Sequence, residues 1–386
     1  MGALTSPPPD PGSIVGLPGR TFVSPARYVQ GPGVLGQLGA HLAPRHSRVT
    51  VLVDAPLLDR LGPGIEVSLE KSGIVHQLRA VQGEVTPGHI EHLASDAASD
   101  RPSAVVGVGG GKVLDLAKGV SRALRTAMVS LPTIASNDGP TSRVIAMYNE
   151  DHLLVDTPHL SMNPELVLVD TQIICSAPPR FLRSGIGDAL AKYFEARACR
   201  VAQGKATTGQ EPLAVAGIVA AGCRSILVAD AEKALASLGR DTPSPELERT
   251  IEAVVLLSGL AFENGGLSMA HALTRGLMIT PGADRHLHGY HVAYGLLVQL
   301  AHEGDTESLA EVAALLGAVE LPQSLHDLDV DLSPGPVGDE VLQRLAMAVT
   351  NSPHVANCVP APTTDSVVRA LTAVEALPRQ TPRRAS

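Results

Sequence analysis

Tryptophan is absent from this chain of 386 residues, and aromatic residues make up only 2% of it. Its core must therefore be built from Ala, Val, Leu and Ile, side chains that suit helices and parallel strands buried on both faces. An excess of positive charge is also missing: 30 Lys and Arg against 39 Asp and Glu leave a formal net charge of −9. The electrostatic footprint needed for nucleic acid or an anionic membrane surface is lacking. Cysteine is sparse. The four residues at 175, 199, 223 and 358 form no C-x-x-C pair and no dense framework, which points to a reducing, cytoplasmic setting. The N-terminus lacks the basic start and apolar run of a signal peptide, and no stretch reads as a membrane span of about 18 apolar residues. A soluble protein is expected.

What is present falls into two compositional halves. Residues 1–20 are rich in Pro and Gly, and residues 376–386 are polar and basic. Both read as flexible extensions with little to bury. Over 21–175, short apolar runs such as VTVLVD (49–54), SAVVGVGGG (103–111), TAMVSLPT (126–133) and VLVD (167–170) alternate with helical patterns. That alternation predicts parallel βαβ units. Over 176–375, long Ala/Leu patterns replace the strands and predict a helical, metal-binding domain. An α/β nucleotide-binding domain followed by an all-α domain leaves a cleft between them, and chemistry is expected there.

Gly109, Gly110, Gly111 and Lys112 lie between a predicted strand and a predicted helix. Small residues there let backbone N–H groups approach an anion, and the helix N-terminus favours negative charge, so a diphosphate is the natural ligand. The motif is neither the Rossmann G-x-G-x-x-G nor a P-loop, and a tight turn without a ligand is the competing reading. Asp54, ending an early strand, is placed to accept from ribose hydroxyls and to favour NAD over NADP. It could equally cap the helix that follows.

Histidines cluster at 271, 286, 288 and 291. The Pro281-Gly282 turn between His271 and His288 allows the chain to double back so that two imidazoles converge on one ion. Asp188, expected in the first turn of an apolar helix, supplies an anionic third ligand. Two His and one carboxylate leave positions open for substrate, which suits Zn²⁺ and also Fe²⁺. Isolated surface or hydrogen-bonded histidines are the alternative.

The run LPTIASNDGPTS (131–142), the turn GVGGGK, the segment SGIGDALAKYFEARAC, and the block SGLAFENGGLSMAHALTRGL with HLHGYHVAYG together resemble the glycerol dehydrogenase family. That family sits in a wider dehydroquinate synthase-like group with the iron-type alcohol dehydrogenases. The resemblance runs from about residue 24 to about residue 320. It implies Zn²⁺, with Fe²⁺ or Mn²⁺ as alternatives, at Asp188, His271 and His288. It implies NAD contacts from Asp54, Gly109, Gly110, Gly111, Lys112, Asp115, Thr133, Ser136, Ser142, Val144 and Tyr148. Asp138 would hydrogen-bond a substrate hydroxyl, and His271 would lie beside the substrate. The implied reaction moves hydride between nicotinamide and a small polyol or its ketone, in a homo-oligomer.

Several residues depart from the family pattern. Asn137 and Gly139 flank Asp138, Tyr290 and His291 follow His288, and Arg143 replaces a small residue. Arg143 reads first as a surface charge, and second as a fork for an anionic substrate made in a specialised biosynthetic route. A dehydroquinate synthase-like lyase ranks lower, because no Lys or Arg cluster is evident around Asp138. A non-catalytic scaffold ranks lower too, because the ligand set is complete.

Overall fold

The computed structural model describes residues 19–149, 154–332 and 335–378. The expected extensions at the two ends fall almost entirely outside these residues.

Six strands form one parallel sheet: β1 (Arg27–Gly31), β2 (Arg48–Asp54), β3 (Val75–Val81), β4 (Ala104–Gly109), β5 (Ala127–Pro132) and β8 (Leu166–Asp170), in the order β1-β8-β5-β4-β2-β3. Between β5 and β8 the short antiparallel pair β6 (Met147–Tyr148) and β7 (Leu154–Asp156) forms a separate ribbon. Every residue of β4 and β8 is buried, as expected of strands covered on both faces. Helices α1 (Leu38–Leu42) and α2 (Leu58–Lys71) close one apolar cluster, and α3 (Pro87–Ala98) and α4 (Gly111–Leu124) close the other. The edge strand β1 and the ribbon were not foreseen, because neither carries a continuous apolar run.

The strand order contains one reversal. From β2 the chain steps outward to β3, then returns to β4 on the other side of β2 and continues to β5 and β8. Ligands of open parallel sheets bind at the carboxyl ends of the strands flanking such a reversal. Val53 pairs with Val108 in register, so Asp54 and Gly109 leave β2 and β4 side by side at that point.

After the short α5 (Thr171–Cys175) the chain is helical: α6 (Pro179–Val201), α7 (Ala214–Ala236), α8 (Pro245–Glu252), α9 (Ser258–Gly265), α10 (Met269–Leu277), α11 (His288–Glu303), α12 (Thr306–Ala318), α13 (Pro336–Thr350) and α14 (Thr364–Glu375). Their apolar faces share one core, which also takes in Val167 and Val169 of β8. A π-helical turn, Ala253–Leu257, joins α8 to α9. Such turns misalign one carbonyl with the helical ladder, and the Val255 carbonyl accepts the Thr141 hydroxyl at 3.1 Å.

By length and composition α7 is apolar enough to cross a membrane, although Arg224 interrupts its apolar run, and Val215, Ile218 and Val228 are exposed on it. The other face of α7 buries Ala216, Ala220, Cys223, Leu227 and Ala231 in the protein. All four cysteines are unpaired and buried.

Candidate functional site

Helix α6 carries the acidic candidate ligand. Asp188 lies at mid-helix, since α6 already begins at Pro179, and not in a first turn as the sequence suggested. His271 sits in the first turn of α10 and His288 opens α11. Gly282, at φ +94°, makes the left-handed bend that returns the chain between them. One ligand atom from each of Asp188, His271 and His288 lies within 4.8 Å of the other two. His271 Nε2 is 3.2 Å and His288 Nε2 3.9 Å from Asp188 Oδ1. Asp188 Oδ2 is buried without a hydrogen-bond partner. A buried carboxylate oxygen left bare is costly unless a cation completes it. Two imidazoles and one carboxylate with an oxygen left bare fit a divalent ion.

The surroundings orient the ligands. Glu195, fully buried two turns after Asp188, takes His271 Nδ1 at 2.7 Å and the amides of Ser268 and His271 at 2.9 and 3.1 Å. Nδ1 thus carries the proton and Nε2, 3.2 Å from Asp188 Oδ1, accepts from Lys192 Nζ at 2.9 Å and has the lone pair a metal ion needs, the carboxylate–histidine arrangement that fixes a metal-binding tautomer. Burial opposes charge on His271, but Glu195 raises its pKa to about 8. For His288, whose side chain is 40% exposed, partial desolvation and the neighbouring His271 and Lys192 act against Asp188 and lower the pKa. Burial opposes ionisation of Asp188, yet Lys192 and the two histidines hold its carboxyl far below the usual range.

Lys192 and Glu195 were not singled out from the sequence. Their positions four and seven residues after Asp188 place all three on one helix face. That spacing was the available signal. Lys192 Nζ lies 2.6 Å from Asp188 Oδ1 and 3.1 Å from Asp138 Oδ2. One lysine thus reaches Asp138, not a Lys and Arg cluster, and it comes from a helix 54 residues downstream, invisible to local sequence. Ser258 also donates to Asp138 Oδ2, at 3.3 Å. Burial raises the Asp138 pKa first and Asp188 adds to it, with Lys192 acting against both.

The loop from Thr133 to Ser142 connects the metal cluster with the glycine turn. The Thr133 amide donates to the Gly109 carbonyl at 3.1 Å. A Cβ on Gly111 would stand 3.2 Å from the Asn137 amide nitrogen, and one on Gly109 would press into Val113. The Ser136 carbonyl accepts the Ser184 hydroxyl at 2.9 Å from α6. Lys118, fully buried, donates to the Gly139 and Val144 carbonyls, both at 2.8 Å, and to Asp115 at 2.9 Å. Asp115 also takes the Ala146 amide at 3.0 Å, so its two oxygens brace the loop. Gly110 caps α4, whose first amides face the carboxyl end of the sheet. The Ser142 hydroxyl accepts the Val144 amide at 2.9 Å, and Lys112 is exposed, paired with Glu84 at 2.7 Å. Asp54 precedes a short helical turn but makes no side-chain cap, which removes the capping reading. The Tyr148 amide holds the Val85 carbonyl at 2.8 Å, and burial, with Asp115 and Glu84, pushes its phenol up to about 12.

One residue differs from expectation, and two histidines of the sequence cluster lie outside the ligand set. Arg143 is not a surface charge: it is 2% exposed, 3.6 Å from Glu263, with its Nε and Nη2 lacking hydrogen bonds. The reason is tertiary, since Glu263 arrives from α9, 120 residues away, and sets its carboxyl beside the guanidinium. His291 bonds the Ala283 carbonyl at 2.7 Å and is not among the clustered candidate ligands. His286 pairs with Asp329 at 3.0 Å.

Comparison with known proteins identifies the family. Residues 29–178 match the iron-containing alcohol dehydrogenase family. A glycerol dehydrogenase of Escherichia coli is 39% identical over 318 residues, covering 81% of this chain and 85% of that protein. A glycolaldehyde reductase of Halobacterium salinarum is 35% identical over 339 residues, covering 86% and 91%. The crystal structure of a probable glycerol dehydrogenase from Sinorhizobium meliloti superposes with a TM-score of 0.85 at 33% identity, covering 93% of this chain and 99% of that one. With its parallel sheet, its helical half and its cluster of one aspartate and two histidines, the chain belongs to the iron-containing alcohol dehydrogenase family, on its glycerol dehydrogenase branch.

Proposed function

We propose that this enzyme interconverts a small polyol and its hydroxyketone, of the glycerol and dihydroxyacetone kind, using NAD and a divalent metal ion. The observation that carries the reading is the meeting of Asp188, His271 and His288 within 4.8 Å, beside the buried Asp138. The relatives' names support the substrate class. Glycerol and glycolaldehyde both place oxygen on adjacent carbons, and such a pair can engage an ion and Asp138 together.

When bound, the ion supplies Lewis acidity at the reacting hydroxyl and NAD accepts the hydride. The protein's own part is binding, orientation and proton placement. Asp138 accepts a hydrogen bond from a substrate hydroxyl and is steadied by Ser258 and Lys192. Gly109 to Lys112 and the start of α4 cradle the diphosphate. Asp54 accepts from the ribose, which favours NAD over its 2′-phosphorylated form. Thr133, Ser136, Ser142, Val144 and Tyr148 line the path from that cradle to the cluster, and Asp115 holds the path in shape. Zn²⁺ is the proposed ion, and the same donors accept Fe²⁺ or Mn²⁺.

We further infer a cytoplasmic homo-oligomer. Its support is the set of unpaired cysteines and the exposed Val215, Ile218 and Val228 on α7, an apolar face suited to a second copy.

The test is NADH formation from glycerol and related diols, run with metal analysis of the purified protein. Asp188→Asn and His271→Ala are expected to lose both turnover and bound metal. Retention of activity and metal by both variants would overturn the site.

A further inference from the structure

Lys192 stands where the metal reading has no role for a lysine. Its side chain is 1% exposed, and its Nζ lies 2.6 Å from Asp188 Oδ1, 2.9 Å from His271 Nε2 and 3.1 Å from Asp138 Oδ2. Two of those three atoms are candidate ligand atoms for the ion. His271 Nε2 has a single lone pair, because Nδ1 is committed to Glu195 at 2.7 Å. A proton of the ammonium and a metal ion cannot share that lone pair.

Charge balance points the same way. Asp138, Asp188 and Glu195 place three carboxylates around one ammonium, all of them buried. With both histidines neutral, as metal ligation requires, a single positive charge leaves this pocket two short of neutrality, and a divalent ion makes up that difference with Lys192 still charged. The ion therefore has no reason to expel the proton from the lysine; it has only to move the ammonium aside. Asp138 remains as its partner, and the ring of Phe262, whose centroid is 5.6 Å from Nζ, offers a cation–π face.

We propose that Lys192 is a built-in competitor of the metal: ion binding displaces its ammonium from Asp188 and His271 onto Asp138, so the pocket holds its metal more weakly than its three ligands would alone. The pairing of the substrate-binding carboxylate is thereby coupled to metal occupancy. This rests on the metal site proposed above.

The test is a zinc titration of chelator-stripped, full-length protein, with affinity read by competition against a chromophoric chelator. Lys192→Met removes the competitor and leaves the three ligands. It is expected to bind Zn²⁺ about tenfold more tightly than wild type. Zinc should also raise its melting temperature by more than it raises that of wild type, because the metal-free variant has three unbalanced carboxylates. Should Lys192→Met fail to fold, the double variant Lys192→Met, Asp138→Asn removes one charge of each sign and decides the matter by the same expected tightening. Equal or weaker zinc binding in the variant that folds overturns the proposal for Lys192. Absence of stoichiometric zinc binding by wild type, or its persistence in Asp188→Asn, overturns the metal site itself, so the two failures are distinct.

Discussion

Gly289, at the first turn of α11, lies directly against the backbone of Ser184 on α6, and its amide donates to the Ser184 hydroxyl at 3.1 Å. A Cβ on Gly289 would overlap the Ser184 carbonyl oxygen, and one on Gly187 would overlap the Gly289 carbonyl. The two helices approach this closely only because glycines face each other. That approach sets His288, the neighbour of Gly289, beside Asp188, the neighbour of Gly187.

Gly289→Ala should therefore act on the metal site through the backbone. Overpacking of this kind costs about 1–3 kcal/mol, and the shift carries His288 away from Asp188. A lower melting temperature together with substoichiometric metal in elemental analysis is expected. Full metal content in a folded Gly289→Ala protein would contradict the account.

Glu195→Gln keeps the size of the side chain but removes the charge that orients His271. Loss of such a partner typically weakens metal binding about 10- to 100-fold. Zinc titration of the stripped variant checks this, and wild-type affinity would show that Glu195 has no part in setting the ligand.

Glu263 provides the pH prediction. Burial raises its pKa to about 7 from 4.5, against the lowering influence of the Arg143 amide, Asn163 and the Arg143 charge. A carboxyl whose folded pKa is raised binds its proton more tightly in the native state. Its contribution is thus complete below about pH 4.5 and is lost as pH rises through 7. Relative to Glu263→Gln, wild type should lose about 3 kcal/mol of stability across that window. Denaturant unfolding of both proteins at pH 5 and pH 8 measures the difference, and parallel pH profiles would refute the assignment.

Lys118 braces both flanks of the Asp138 loop through the Gly139 and Val144 carbonyls. Lys118→Met leaves those carbonyls and Asp115 without their cation, a loss of about 3 kcal/mol or more for a broken buried pair. Turnover should fall along with stability while zinc binding is kept, since none of the metal ligands touches Lys118. Thermal melts with parallel metal analysis separate the two effects.

Much of the architecture was legible along the chain. Continuous apolar runs marked β2, β4, β5 and β8, because a strand covered on both faces has no polar side to show. The Ala/Leu patterns marked the helical half. The short edge strand β1 and the ribbon of β6 and β7 carry no such run, and only their partners make them strands. The residues at 188, 271 and 288 stood out by type, by the turn between the histidines and above all by resemblance to relatives.

Sequence by itself thus determined the order of elements, the placement of the glycine turn and the identity of the candidate ligands, all of which depend on near neighbours or on motif. Tertiary structure alone decided what surrounds them. Arg143 is buried because Glu263 reaches it from 120 residues away, and Asp138 has a cation because α6 brings Lys192 to within 3.1 Å. The physical reason is that the state of a buried charge is set by the groups packed around it, and packing joins residues that the chain keeps far apart.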